Sequence, residues 1–163
     1  MQANSKYSKL TLSGIYIALF IVVMMCTQSF AFGQYQIRIA TALYGLSAIF
    51  PFLIIPAGIA NVISNTVMGG LGIMDMVGGG IVGILTTSLI VFGKKQGWGN
   101  WIVMLAVTFV PGLLVPIWLS ILLNLPYWVL ASSILVGQAI CGMVSMALVG
   151  ALEKTGVSVT AMH

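Results

Sequence analysis

Apolar residues follow one another along this chain in runs too long for a water-soluble fold, and polar residues collect in the gaps between the runs. Residues 10–31, 74–92, 100–123 and 127–152 each come close to or exceed the ~20 residues that a helix needs to cross a bilayer. The run at 10–31 is longer than the ~7–15 residues of a secretory signal core, so it reads as a membrane helix. Residues 39–68 are harder to assign. They are apolar throughout, but Pro51 and Pro56 interrupt them, and Gly58, Asn61, Ser64 and Asn65 follow.

The lysines decide between one crossing and two in that stretch. Lys6 and Lys9 precede the first run, and Lys94 and Lys95 follow the fourth. A single crossing puts the two pairs on opposite sides of the membrane; a turn near Pro51 puts them on one side. The excess of cations on cytoplasmic loops favours the turn. The expected fold is an all-α integral membrane bundle of six transmembrane helices, at 10–31, 39–50, 52–67, 74–92, 100–123 and 127–152. Both termini are then cytoplasmic, and residues 1–163 form one domain. The second and third helices are short for a span, and such helices persist where protein covers them or where they line a cavity.

Composition narrows the function. The chain is 60% hydrophobic and 5% charged, against roughly a quarter charged in soluble domains. Its net charge of +4 comes from six cations beside two acids, and the lysines flank apolar runs, so they set topology and do not form a nucleic-acid patch. Cys26 and Cys141 lie inside apolar runs without metal-ligand spacing, which argues against a metal or a disulfide and for packing roles. No Walker sequence is present, so this chain does not itself hydrolyse ATP. With two acids and one histidine, the terminal His163, enzymatic chemistry has no nucleophile–base pair to use, and no cofactor is expected.

Polar residues gather in the three connections on the outer side, near 32–38, 67–72 and 124–126. Gln34, Tyr35 and Arg38 lie in the first, Asn61, Asn65 and Asp75 flank the second, and Asn124, Tyr127 and Trp128 surround the third. Arg38 and Asp75 are the only charges between Lys9 and Lys94. A charge inside a bilayer costs several kcal/mol and so lines a functional site or finds a partner. The alternative puts both at the interface, with Arg38 reaching headgroups and Asp75 favoured by a helix N-terminus. Asn61 and Asn65, four apart, share a helix face and require protein, water or ligand. Aromatics such as Tyr127 and Trp128 fit either a stacking pocket or an interfacial belt. Small pairs at four-residue spacing, Gly14 with Ala18, Gly79 with Gly83 and Ala147 with Ala151, let another helix approach, either within the bundle or on a partner membrane protein.

Two motifs add a family resemblance. GQYQIRIATAL at 33–43, and the pair ANVISN at 60–65 with GLGIMDMVG at 70–78, resemble the loop, the asparagine-bearing third helix and the glycine-leucine-aspartate opening of the fourth helix in the QueT family. QueT proteins are substrate-binding S-components of energy-coupling-factor transporters. By motif position Arg38, Asn65 and Asp75 carry over, with Asn61 competing with Asn65, while Thr41 stands where the family pattern places a glutamate. The resemblance implies capture of a queuosine precursor, a 7-deazaguanine base or its nucleoside, outside a bacterial plasma membrane. It implies a transmembrane T-component and two cytoplasmic ATPases as partners, with Gly14 and Ala18 on the docking face. The competing readings are an S-component for another vitamin or an amino acid, a small self-sufficient carrier or channel, and a purely structural subunit.

Overall fold

The structure, a computed structural model, describes residues 2–31, 37–68 and 71–156. Among these the chain is helical and contains no strand. In order, the elements are α1 (Gln2–Cys26), α2 (Gln28–Ala31), the 3-10 helices η1 (Ile39–Ala48) and η2 (Pro51–Leu53), α3 (Ile54–Val67), α4 (Ile73–Lys95), α5 (Trp101–Leu123) and α6 (Tyr127–Lys154). Four helical stretches are long and apolar enough to cross a membrane: Lys6–Cys26, Ile73–Lys95, Trp101–Leu123 and Tyr127–Lys154. They fall on the four long apolar runs. The first run is divided at Thr27, whose backbone N–H and hydroxyl both donate to the Val23 carbonyl, at 3.0 and 2.7 Å.

The segment after Arg38 is a 3-10 helix where hydropathy suggested an ordinary helical span, and its sequence explains why. Three residues per turn place every third side chain in one straight row. Arg38, Thr41, Tyr44 and Ser47 form a polar row, and all four are buried. Ile39, Ala42, Gly45 and Ala48 form a second row of mostly small residues, in which Gly45 abuts Ser145 and Val149 of α6 with no room for a β-carbon. The third row, Ala40, Leu43, Leu46 and Ile49, packs into the hydrophobic core. An α-helix would turn each step of three back by about 60° and carry Ser47 to the side opposite Arg38. The 3-10 form also stretches ten residues to about 20 Å, against about 15 Å for an α-helix.

Two apolar clusters hold the bundle. One joins Tyr16, Phe20 and Met24 of α1 to Tyr44, Ala57, Ile90, Val103, Val107 and Cys141, with the rings of Phe20 and Tyr44 stacked at 5.7 Å. The second gathers Val82, Val115, Leu119, Leu130 and Ile134. α5 and α6 approach closely at Gly142, where a β-carbon would lie 2.6 Å from Thr108 Oγ1 and 2.8 Å from the Met104 carbonyl. A tight turn joins these two helices. Asn124 takes the left-handed conformation there (φ 52°, ψ 40°), which asparagine tolerates better than most residues.

The small-residue pairs have different fates. Gly79 and Gly83 are used inside the bundle, against Asn65 and against Ala57 and Tyr44. Gly14, Ala18, Ala147 and Ala151 are exposed, and a β-carbon on Gly14 meets nothing within 4 Å. At one end of the bundle, Lys94 Nζ donates to Asn100 Oδ1 at 2.6 Å and pairs with Glu153 at 2.9 Å, while Asn100 donates to Glu153 Oε2 at 2.6 Å. The turn between η1 and η2 lies at this end, because Ala48 and Pro51 share a cavity with Lys94 and Lys95. Leu12, Ile15, Tyr16 and Leu19 of α1 line another cavity with Leu46, Phe50, Phe52 and Leu53, so the lysine-bearing half of α1 runs beside the same turn.

Candidate functional site

Burying a polar group in an apolar bundle costs free energy unless it finds a partner. Several buried polar side chains of this protein find one another. Arg38, at the start of η1 and 6% exposed, donates from Nη1 to Asn65 Oδ1 at 3.4 Å. Asn65 donates from Nδ2 to the Asp75 backbone carbonyl at 2.9 Å. Trp118 of α5 donates from Nε1 to Asp75 Oδ1 at 3.1 Å. Asp75 lies in the first turn of α4, where the helix dipole favours an acid, yet it is 1% exposed and sits inside the protein. Arg38 likewise points inward, so neither charge reaches for headgroups.

A second pair of contacts continues down the polar row. Thr41 Oγ1 lies 2.9 Å from Gln138 Oε1 on α6, and Asn61 Nδ2 of α3 donates to the Tyr44 hydroxyl. Ser47 Oγ reaches the Thr87 carbonyl of α4 at 3.5 Å. Each residue of the row thus faces a different inward-turned polar group, on α3, α6, α3 and α4 in turn. Asn61 Oδ1 is buried without a hydrogen-bond partner.

These groups enclose a small cavity lined by Arg38, Thr41, Tyr44, Asn61 and Gln138, with Gly79, Val82, Pro111, Val115 and Ile134 completing the wall. Its volume is about 10 Å³, the room one water needs. It lies where the two apolar clusters meet, since Tyr44 belongs to one and Val82, Val115 and Ile134 to the other. Gly79 makes the crowding possible: a β-carbon there would stand 2.5 Å from Asn65 Nδ2 and 3.2 Å from Asn61 Oδ1. A larger groove, about 360 Å³, runs along the outside between α3 and α4, but Ile55, Gly58, Val62, Gly80, Ile84 and their apolar neighbours line it. That groove has almost nothing with which to orient a polar molecule, so the enclosed cavity is the better candidate despite its size.

Of the sequence-derived set, Arg38 and Asn61 line this cavity, Asn65 and Asp75 join Arg38 in the hydrogen-bonded chain beside it, and Asn124, Tyr127 and Trp128 take part in neither. Asn124 is exposed in its turn, Tyr127 donates its hydroxyl to the Leu113 carbonyl at 2.9 Å, and Trp128 is 76% exposed with its ring edge-on to Tyr127. Gln34 and Tyr35 lie outside the described residues. Trp98 and Trp101 stack at 5.7 Å beside the lysine pair, both partly exposed.

Gln138 was not singled out from sequence, although an amide inside the last apolar run is the same signal that marked Asn61 and Asn65. The partnership of Trp118 with Asp75, 43 positions away, has no local trace in the sequence.

The model of the QueT transporter family matches residues 10–154, most of the chain. The protein belongs to the QueT family. QueT proteins are S-components of energy-coupling-factor transporters, so this chain is a multi-pass membrane protein with a role in transport rather than catalysis. No match to a curated protein or to a solved structure was found. Arg38, Asn65 and Asp75, on which the resemblance in the sequence rested, lie in the hydrogen-bonded chain that links η1, α3 and α4.

Proposed function

We propose that this QueT protein is the capture subunit of an ATP-driven importer and takes up a queuosine precursor, a 7-deazaguanine base or its nucleoside, from the outer face of a bacterial plasma membrane. The observation that carries this reading is the enclosed polar cavity, where Asn61 Oδ1 is left without a partner among Arg38, Thr41, Tyr44 and Gln138. Amides, hydroxyls and a guanidinium are the groups that read the edge of a polar heterocycle, and the apolar wall of Val82, Val115 and Ile134 suits its faces. As it stands the cavity takes about one water. A flat ring enters when the α5 and α6 wall parts from the polar row by about 3.5 Å, one ring thickness.

Capture without translocation calls for a motor elsewhere, and a transmembrane T-component with two cytoplasmic ATPases supplies it. Gly14 and Ala18 present a small-residue strip on the outside of α1, suited to close approach by such a partner helix. Six crossings with both termini cytoplasmic agree with the turn between η1 and η2 lying beside Lys94 and Lys95 and beside the lysine-bearing half of α1.

The test is a thermal-shift panel on detergent-purified protein with 7-deazaguanine precursors, queuine, queuosine, thiamin, biotin, riboflavin and tryptophan. The expected result is a shift with the deazaguanine compounds alone, reduced by Arg38→Ala. A shift with another vitamin keeps the capture role and overturns the substrate. Uptake by proteoliposomes that lack the ATPase partners points instead to a self-sufficient carrier.

A further inference from the structure

Gln138 is 2% exposed in the middle of α6 and lines the cavity, yet it lies outside the motifs at 33–43, 60–65 and 70–78. Its partner Thr41 stands 97 positions away in sequence. The Thr41 hydroxyl has one proton and two acceptors in reach, the Arg38 carbonyl at 2.7 Å and Gln138 Oε1 at 2.9 Å. The Arg38 carbonyl already accepts the Thr41 backbone N–H at 2.8 Å and the Cys141 thiol at 3.4 Å. The hydroxyl lies between the two oxygens, and Gln138 Oε1 accepts from it.

This has a chemical consequence for the amide. A carboxamide free to make a half-turn offers either a donor or an acceptor at the same place. With Oε1 held by Thr41, the amino end is what Gln138 has left to offer. Asn61, which also lines the cavity and is tied to Tyr44 through Nδ2, has a bare carbonyl oxygen. The cavity wall therefore carries a donor from α6 and an acceptor from α3.

We propose that Gln138 is a specificity-determining residue, oriented by Thr41, that selects a lactam edge over an aminopyrimidine edge in the captured ring. A lactam presents a carbonyl to the Gln138 amino group and an adjacent N–H for Asn61. An aminopyrimidine in the same pose sets an exocyclic amino group against the Gln138 amino group and a bare ring nitrogen toward the Asn61 carbonyl, and sites built on hydrogen bonds reject such mismatches strongly. The proposal rests on the reading that this cavity holds a heterocycle.

The experiment compares 7-deazaguanine with 7-deazaadenine by calorimetric titration of the purified, detergent-solubilised full chain. Four proteins are measured: wild type, Thr41→Ser, Thr41→Val and Gln138→Met. Wild type prefers 7-deazaguanine by about 100-fold or more, and Thr41→Ser, which keeps the hydroxyl, retains that preference. Thr41→Val frees the amide to turn and cuts the preference to within about 10-fold, with a smaller change in affinity for 7-deazaguanine. Gln138→Met loses both affinity and preference. If Gln138→Met fails to fold, the contrast between Thr41→Val and Thr41→Ser still decides the matter. An undiminished preference in Thr41→Val or in folded Gln138→Met overturns the proposal and leaves the capture function standing. Wild type that is folded but binds neither ring overturns the reading of the cavity, and this proposal with it.

Discussion

Arg38 on η1 and Asn65 on α3, 27 positions apart, meet inside the protein through a hydrogen bond of 3.4 Å from the guanidinium to the side-chain carbonyl. Asn65 also donates to the Asp75 carbonyl, so one amide ties three elements together. Replacing it with leucine leaves the Asp75 carbonyl without this donor and Arg38 without this acceptor, at about 1–3 kcal/mol for each buried group. Asn65→Leu is expected to lower the unfolding midpoint in detergent by roughly 4–24 °C, followed by circular dichroism. An unchanged midpoint would show that the bridge contributes nothing to stability.

Trp118 acts on the other side of Asp75. Its indole N–H donates to Oδ1, and its ring fills the space beside Gly78, where a β-carbon would come within 2.9 Å of it. Trp118→Phe keeps much of the packing and removes the hydrogen bond. A loss of about 1 kcal/mol is expected in thermal unfolding, well short of that for Trp118→Ala, which also opens a cavity.

Gly79→Ala puts a methyl group where Asn65 and Asn61 now sit, at 2.5 Å and 3.2 Å. Both amides must shift, and overpacking of this kind costs typically about 1–3 kcal/mol. The expected outcome is a stability loss together with weakened binding of 7-deazaguanine by titration, because the displaced Asn61 lines the cavity. Binding at wild-type strength would place the ligand elsewhere.

On α1 the expectation is reversed. A β-carbon added at Gly14 meets nothing of this chain within 4 Å, and Ala18 is exposed beside it. Gly14→Leu and Ala18→Leu are expected to leave unfolding within about 0.5 kcal/mol and ligand binding unchanged. Uptake by vesicles that contain the T-component and ATPases is expected to collapse. Normal uptake would move the docking face off this strip.

Crossing number can be read by labelling. Lys6→Cys, Lys95→Cys and Leu125→Cys each expose a thiol in a background without Cys26 and Cys141. Six crossings predict that an impermeant maleimide added to intact cells labels position 125 and spares positions 6 and 95. Labelling of position 6 together with 125 would mean that residues 39–67 cross once.

Much of the site was legible because charge and amide are conspicuous in an apolar chain. Arg38, Asn61, Asn65 and Asp75 each had to face something other than lipid, and the structure turns all four inward. Spacing by three at Arg38, Thr41, Tyr44 and Ser47 was equally visible, but 3-10 helices longer than three or four residues are uncommon, so a ten-residue one was not foreseen. The contact of Thr41 with Gln138 joins residues 97 positions apart, and nothing local announces it. Asn124, Tyr127 and Trp128 were grouped with the cavity residues by their level in the membrane, and the structure sets them apart from it.

Hydropathy by itself determined depth for the four long runs: roughly where they begin and end, and which polar residues lie near their ends. Only the tertiary structure decided rotation, the direction each side chain takes around its helix. In water an apolar stripe tells a helix which face to bury. In a bilayer the lipid tails are as apolar as the core, so no such stripe is required, and close packing with the pairing of buried polar groups sets the rotation instead. Trp128 and Gln138 both lie on α6, and packing turned one outward and the other onto Thr41.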